Sequence, residues 1–125
     1  MGARAVRIGE FLQTVGTTLD TVRHYESLSL LQPARMNRQK QYGPAEVQAF
    51  QVIKEFQQAG LSLEDIRLLF NLKLAHGCGS AELVQGAVQQ LDSQLRRVEE
   101  EFLRLEKRRQ FLRDTLAAMR EETGV

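Results

Sequence analysis

An all-α fold carrying one small β element is what this sequence predicts, and three patterns predict it. A helical apolar period occurs twice in the first thirty residues around a glycine, a basic loop bracketed by breakers follows, and a heptad repeat runs through the last third. In the stretch IGEFLQTVGTTLDTVRHYESLSLL, Ile8, Phe11, Leu12 and Val15 fall at i, i+3, i+4 and i+7, so one face of a first helix is apolar. Gly16 stands where a glycine ends such a helix. Thr17 or Thr18 caps a second helix, whose buried face is expected to be Leu19, Val22 and Leu28. This leaves Thr18, Asp20, Thr21, Arg23 and His24 to meet a partner. Two short helices about a glycine corner form a helix-turn-helix.

Residues 33–42, PARMNRQKQY, have no apolar period, carry Arg35, Arg38 and Lys40, and are closed off by Pro33 and by Gly43-Pro44. That composition predicts a two-stranded loop standing off the core, a basic wing beside the helix-turn-helix. Residues 1–45 hold six cations (Arg4, Arg7, Arg23, Arg35, Arg38, Lys40) against three acids (Glu10, Asp20, Glu26), formally +3. The remaining eleven cations and thirteen acids leave −2, so the whole-chain charge of +1 conceals a positive end. A positive end that coincides with a winged helix-turn-helix is what a phosphate-contacting module requires. The excess is modest, which predicts weak binding by one subunit and a need to join two.

Between wing and heptads, Pro44 suits a first helical turn, Val47, Phe50, Ile53 and Phe56 follow with helical spacing, and Gly60 stops the run. Ser62-Leu63-Glu64-Asp65 is a capping signature before Ile66, Leu69 and Phe70. Further on, Val84, Leu91, Val98, Leu105, Leu112 and Met119 recur every seven residues, with Val88, Leu95, Phe102 and Leu116 on a second track. These are the d and a positions of a coiled coil, interrupted at Arg109 by a charge that fixes register or meets a partner's carboxylate. A helix of about forty residues from Ser80 is on the order of 60 Å long, too long for this chain's own core to cover, so a second copy is expected against it. The expected organisation is a DNA-binding unit over 1–45, a helix pair over 46–75, a hinge loop over 76–79, a dimerisation coiled coil over 80–120 and a short tail over 121–125.

The succession of IGEF, TVRHYESLSLLQP, a PxRxN wing ending in Tyr42, the AGLSLEDI turn and a long terminal helix resembles the MerR family of bacterial transcription regulators. The likeness covers nearly the whole chain. It implies a homodimer joined by an antiparallel coiled coil, with two winged units on a near-palindromic element of double-stranded promoter DNA. The resemblance further implies that the DNA is bent and untwisted so that RNA polymerase meets two promoter elements in phase. Such a distortion costs on the order of 1–6 kcal/mol and has to be met by many phosphate contacts and a rigid dimer. Position by position, Arg23, His24 and Tyr25 match the family's Arg-aromatic-Tyr triplet on the recognition helix, and Arg35 and Tyr42 match wing positions that grip the backbone. The expected DNA-contacting set is therefore Thr18, Asp20, Thr21, Arg23, His24, Tyr25, Arg35, Asn37, Arg38, Lys40 and Tyr42. Three departures stand out. Ser29 replaces the usual glycine after the recognition helix, Arg38-Gln39 replaces Gly-Tyr at the wing tip, and Lys40 replaces an arginine, losing bidentate geometry.

Other classes have little support. There is no Ser-His-Asp order, phosphate-cradling glycine loop or paired-acid signature, and only His24 and His76 could serve as neutral-pH bases, so no enzyme and no cofactor are expected. One cysteine excludes an intrachain disulfide, and without an apolar run of membrane length the expected location is cytoplasmic. In His76-Gly77-Cys78-Gly79-Ser80, Cys78 stands where the metal-sensing members of the resembled family carry a thiol. One thiol and at most His76 do not make a tetrahedral site unless a second subunit adds ligands, so both are weak metal candidates. Cys78 is more readily a thiol switch, in an open loop beside the start of a helix. An effector-independent repressor or a DNA-bending accessory protein would share all of these features.

Overall fold

The computed structural model describes residues 5–125; Arg4, one of the cations counted above, lies outside the described residues. The elements run α1 (Ile8–Val15), α2 (Leu19–Ser27), β1 (Ala34–Met36), β2 (Gln39–Gln41), α3 (Pro44–Gln58), α4 (Leu63–His76) and α5 (Ala81–Thr123). The fold is the expected one, mostly helical with a small antiparallel wing and a long C-terminal helix. The chain divides into two compact units, Met1–Gln90 and Leu91–Val125.

In the first unit every helix after α1, whose start carries no side-chain cap, has a local reason to begin where it does. Thr18, not Thr17, caps α2, its hydroxyl accepting the Thr21 N–H at 3.3 Å. Pro44 opens α3, and the Gly43 N–H donates to Glu46 Oε2 at 2.7 Å. Ser62 and Asp65 form the reciprocal capping box at the head of α4. Ser80 caps α5 through the Leu83 N–H at 3.2 Å.

The helix ends are equally specific. α3 closes with Gly60 N–H on the Gln57 carbonyl and Leu61 N–H on the Phe56 carbonyl, with Gly60 at φ 97°. α2 closes with the same pair of bonds, Ser29 to Glu26 and Leu30 to Tyr25, but the left-handed position is Ser29 at φ 60°. The Schellman bonds thus force a side chain into a conformation suited to glycine.

The core gathers Phe11 from α1, Val22 and Tyr25 from α2, Leu30 and Leu31 from the link to the wing, Tyr42 after it, Phe50 and Ile53 from α3, Leu61, and Ile66 and Leu69 from α4. One expectation is corrected. Leu19 is 37% exposed, while Leu28 is half-buried, because the α2 stripe that meets the core is Val22 with the larger ring of Tyr25 three residues on. Leu19 sits instead on the outer edge of α2 at its first turn.

The wing pairs Ala34 with Gln41, Arg35 with Lys40 and Met36 with Gln39, around a two-residue loop at Asn37-Arg38. Both loop residues have positive φ, 51° and 66°, as a hairpin of this length demands. Asn tolerates that region, whereas Arg38 occupies it without glycine's freedom. Beyond β2, Tyr42 exchanges two 2.7 Å backbone bonds with Val6, tying the wing's base to the segment before α1.

The first turns of α5 also belong to this unit, with Leu83 and Ala87 packed on the core. At Gly86 a methyl group would come within 2.5 Å of Leu72 Cδ1, so a glycine here permits the close approach of α4. In the second unit, by contrast, α5 buries no residue, and its apolar positions Leu91, Leu95, Val98, Phe102, Leu105, Leu112, Leu116 and Met119 are 41% to 61% exposed.

Ser29→Gly is expected to raise stability by about 1 kcal/mol, because the left-handed strain of a non-glycine residue disappears while both capping bonds remain. Urea unfolding of the two proteins measures the difference, and equal or lower stability of the variant would show that Ser29 is unstrained.

Candidate nucleic-acid interface

The expected contact residues separate into two groups. Thr18, Asp20, Arg23 and His24 on α2, and Arg35, Asn37, Arg38 and Lys40 on the wing, are all exposed, with Thr21 half-buried between them. Tyr25 and Tyr42 are not exposed. Each is 2% accessible and stands in the core, which corrects the expectation that they offer hydroxyls to phosphates. The physical reason is that both rings have partners inside. Tyr42 stacks on Phe11 at 4.5 Å between ring centres, and Tyr25 lies 5.7 Å from Phe50 with the Lys54 ammonium 5.6 Å from its ring centre. Each hydroxyl is also engaged, Tyr25 donating to Gln57 Oε1 at 2.8 Å and Tyr42 to Glu26 Oε1 at 2.7 Å.

Glu26 is the residue the sequence reading did not single out. Its second oxygen accepts from Lys40 Nζ at 3.2 Å, so one carboxylate of α2 holds both β2 and the residue after it. The Glu26 side chain is 13% exposed and that of Lys40 42%, so the pair is partly shielded and worth more than an open surface pair. Lys40 therefore spends much of its charge within the protein, and Arg23, Arg35 and Arg38 are the cations of the expected set that no ion pair among the described residues engages. The available signal was an acid three residues after Arg23 in an otherwise basic segment.

A second residue joins the site from outside the expected set. Arg7, Ile8, Leu19, Arg23, Glu26, Gln39, Lys40 and Tyr42 line a shallow groove between the start of α1, α2 and the wing. Three cations face one acid there, so the groove is positive, and the Leu19 edge gives it an apolar wall. Burial, then the Glu26 hydrogen bond and the Glu26 charge, hold the Tyr42 phenol far above its ordinary value, with Arg23 pulling weakly the other way. Tyr42 is thus a neutral donor at any physiological pH.

Cys78 and His76 are exposed at the link between α4 and α5, and no cluster of three metal-ligating side chains occurs among the described residues. No helix is long and apolar enough to cross a membrane.

Tyr42→Phe is expected to cost about 1–3 kcal/mol, because Glu26 loses a buried donor. The unfolded chain ionises this phenol near pH 10 while the folded chain keeps it neutral, so its stabilisation is complete below about pH 10 and declines as the pH rises further. Denaturant melts from pH 7 to 11 check both points, since the variant is expected to start lower and to lose less stability on the alkaline side.

Comparison with known proteins supplies the family. The model of the MerR HTH family regulatory proteins matches residues 6–73, from the entry to α1 through most of α4. A MerR family transcriptional regulator from Listeria monocytogenes superposes with a TM-score of 0.67 at 23% identity, over 94% of this chain and 92% of that one. The transcription regulator PbrR691 from Ralstonia metallidurans CH34, solved in complex with lead(II), superposes with a TM-score of 0.55 at 32% identity, over 82% of this chain and 86% of that one. No curated protein sequence matches. With the family pattern spanning the helix-turn-helix, the wing and both connecting helices, this chain belongs to the MerR family of transcription regulators.

Proposed function

We propose that this regulator acts as a homodimer, binds double-stranded promoter DNA through two copies of the α2–wing surface, and bends and untwists a near-palindromic element to control access by RNA polymerase. The observation that carries this reading is the positive groove between α2 and the wing, lined by Arg7, Arg23 and Lys40 and flanked by the exposed Arg35 and Arg38. A rigid module with cations on two adjacent elements suits a duplex, α2 entering the major groove while the wing follows the phosphates. In this reading Arg23 and His24 reach base edges, Thr18, Asp20 and Thr21 flank them, and Arg35, Asn37 and Arg38 contact the backbone. Lys40 contributes less direct charge because Glu26 holds it.

The exposed heptad stripe of α5 supports the dimer. Eight large apolar side chains between Leu91 and Met119, 41% to 61% open to water, form a surface that association removes from solvent. Domain roles follow: the winged unit binds, α3 and α4 carry its position to α5, and α5 sets the separation of the two copies. Switching by a small effector, or by chemistry at the exposed Cys78 thiol, completes the proposal.

Affinity for duplex DNA is expected to fall steeply with salt, with a log–log slope more negative than about −4 for a dimer making several phosphate contacts. A slope near zero in a fluorescence-anisotropy titration would remove the phosphate-binding reading. Arg23→Ala is expected to cost about 1–3 kcal/mol and to relax sequence preference. A uniform loss on all sequences would instead assign Arg23 to the backbone. Leu105→Asp is expected to give a monomer at tens of micromolar in sedimentation experiments, since the charge enters the apolar stripe.

A further inference from the structure

Resting on the homodimer reading above and on the antiparallel pairing that the family resemblance implies, we infer the register of that pairing: Phe102 of one α5 lies opposite the partner's Leu105. The apolar stripe says that something covers α5, and the charges beside it say what and in which direction. Heptad phase places Glu101 and Arg108 at g positions, Asp92, Glu99, Glu106 and Arg113 at e positions, and Arg109 within the stripe at an a position.

A parallel pair sets each a residue against its own copy and each g residue against the e residue five further on. Arg109 would then meet the partner's Arg109, Glu101 the partner's Glu106 and Arg108 the partner's Arg113, so all three contacts join like charges. An antiparallel pair brings g beside g and e beside e. With Phe102 opposite the partner's Leu105, Leu95 falls opposite the partner's Leu112, and the seam stays apolar except at Arg109. Glu101 then lies beside the partner's Arg108 and Asp92 beside the partner's Arg113, each contact occurring twice by symmetry.

The remaining e pair, Glu99 with the partner's Glu106, joins like charges, and Arg109 answers it. Its guanidinium already holds its own Glu106 at 3.2 Å, and in this register it is also adjacent to the partner's Glu99. The charge that interrupts the heptads thus has acids on both sides, which specifies alignment at some cost in stability. Sliding one helix by a heptad in either direction sets Glu101 against its own copy or Arg108 against its own copy. The register with Phe102 opposite Leu105 avoids both.

The test is a charge-swap cycle in the full chain, with the dimer dissociation constant read by sedimentation equilibrium and helicity by circular dichroism. Glu101→Arg and Arg108→Glu are each expected to weaken the dimer about ten-fold, because two attractive contacts become two repulsive ones. The double variant is expected to return to within about three-fold of the wild type. Tighter dimers from the single variants would overturn the proposal in favour of a parallel pair. A dimeric wild type whose double variant shows no rescue would overturn the register while leaving the homodimer reading intact. A monomeric wild type would overturn both.

Discussion

The carboxylate of Glu26 is the contact on which the DNA-facing half of this protein depends. Two strands of three residues cannot hold their own orientation in water, and nothing in the wing's exposed side chains provides a core. The wing is fixed at its base instead. Tyr42 stacks on Phe11 and exchanges backbone bonds with Val6, and Glu26 reaches from α2 to take the Tyr42 hydroxyl and the Lys40 ammonium together. The spacing between α2 and the wing, which any duplex would have to match, is therefore set by one buried hydroxyl, one ion pair and one stacked ring pair. The same arrangement commits the Tyr42 donor inside the protein, to the Glu26 carboxylate.

Strain is concentrated at the two places where the chain turns around this surface. Ser29 closes the C-terminus of α2 and Arg38 forms the wing tip, each at positive φ, and each stands where the family resemblance implied a glycine. At both positions the surrounding hydrogen bonds over-determine the conformation: the Schellman pair at one, the paired strands at the other. The gain at Arg38 is a cation at the tip of the wing, and at Ser29 nothing in the structure explains the substitution.

The two units meet the problem of apolar surface in opposite ways. The N-terminal unit encloses eleven side chains from four helices and the links between them and leaves no buried polar side-chain atom unpartnered among the described residues. The unit beginning at Leu91 encloses none, yet its sequence is as regular as any part of the chain. A single helix has no interior, so a periodic stripe on it is stable in water only when another helix supplies the second wall. Charges flanking the stripe then select among possible walls, since they cost little when solvated and matter chiefly when a partner brings like or unlike charges beside them.

What was legible in the sequence follows from which signals are local. Apolar period, glycine and proline placement and capping pairs act within a few residues, and they pointed to the helices, the wing, the fold class, the heptad stripe and the boundaries at Gly16, Ser62 and Ser80, leaving Thr17 and Thr18 as alternative caps; the pattern in TVRHYESLSLLQP then pointed to the family. The tertiary structure alone decided which polar side chains are spent inside the protein. Tyr25 and Tyr42 read as exposed donors because their motif positions suggested it, but Gln57 lies thirty-two residues from Tyr25 in sequence and Glu26 sixteen from Tyr42, separations at which no local pattern reports a contact. Leu19 stays at the outer edge of α2 for a comparable reason, since which positions of α2 meet the core depends on rings brought in from other helices, Phe50 against Tyr25 and Phe11 against Phe50. Local chemistry fixes where helices start and stop; the competition of side chains for one enclosed volume decides which of their faces remain free to act.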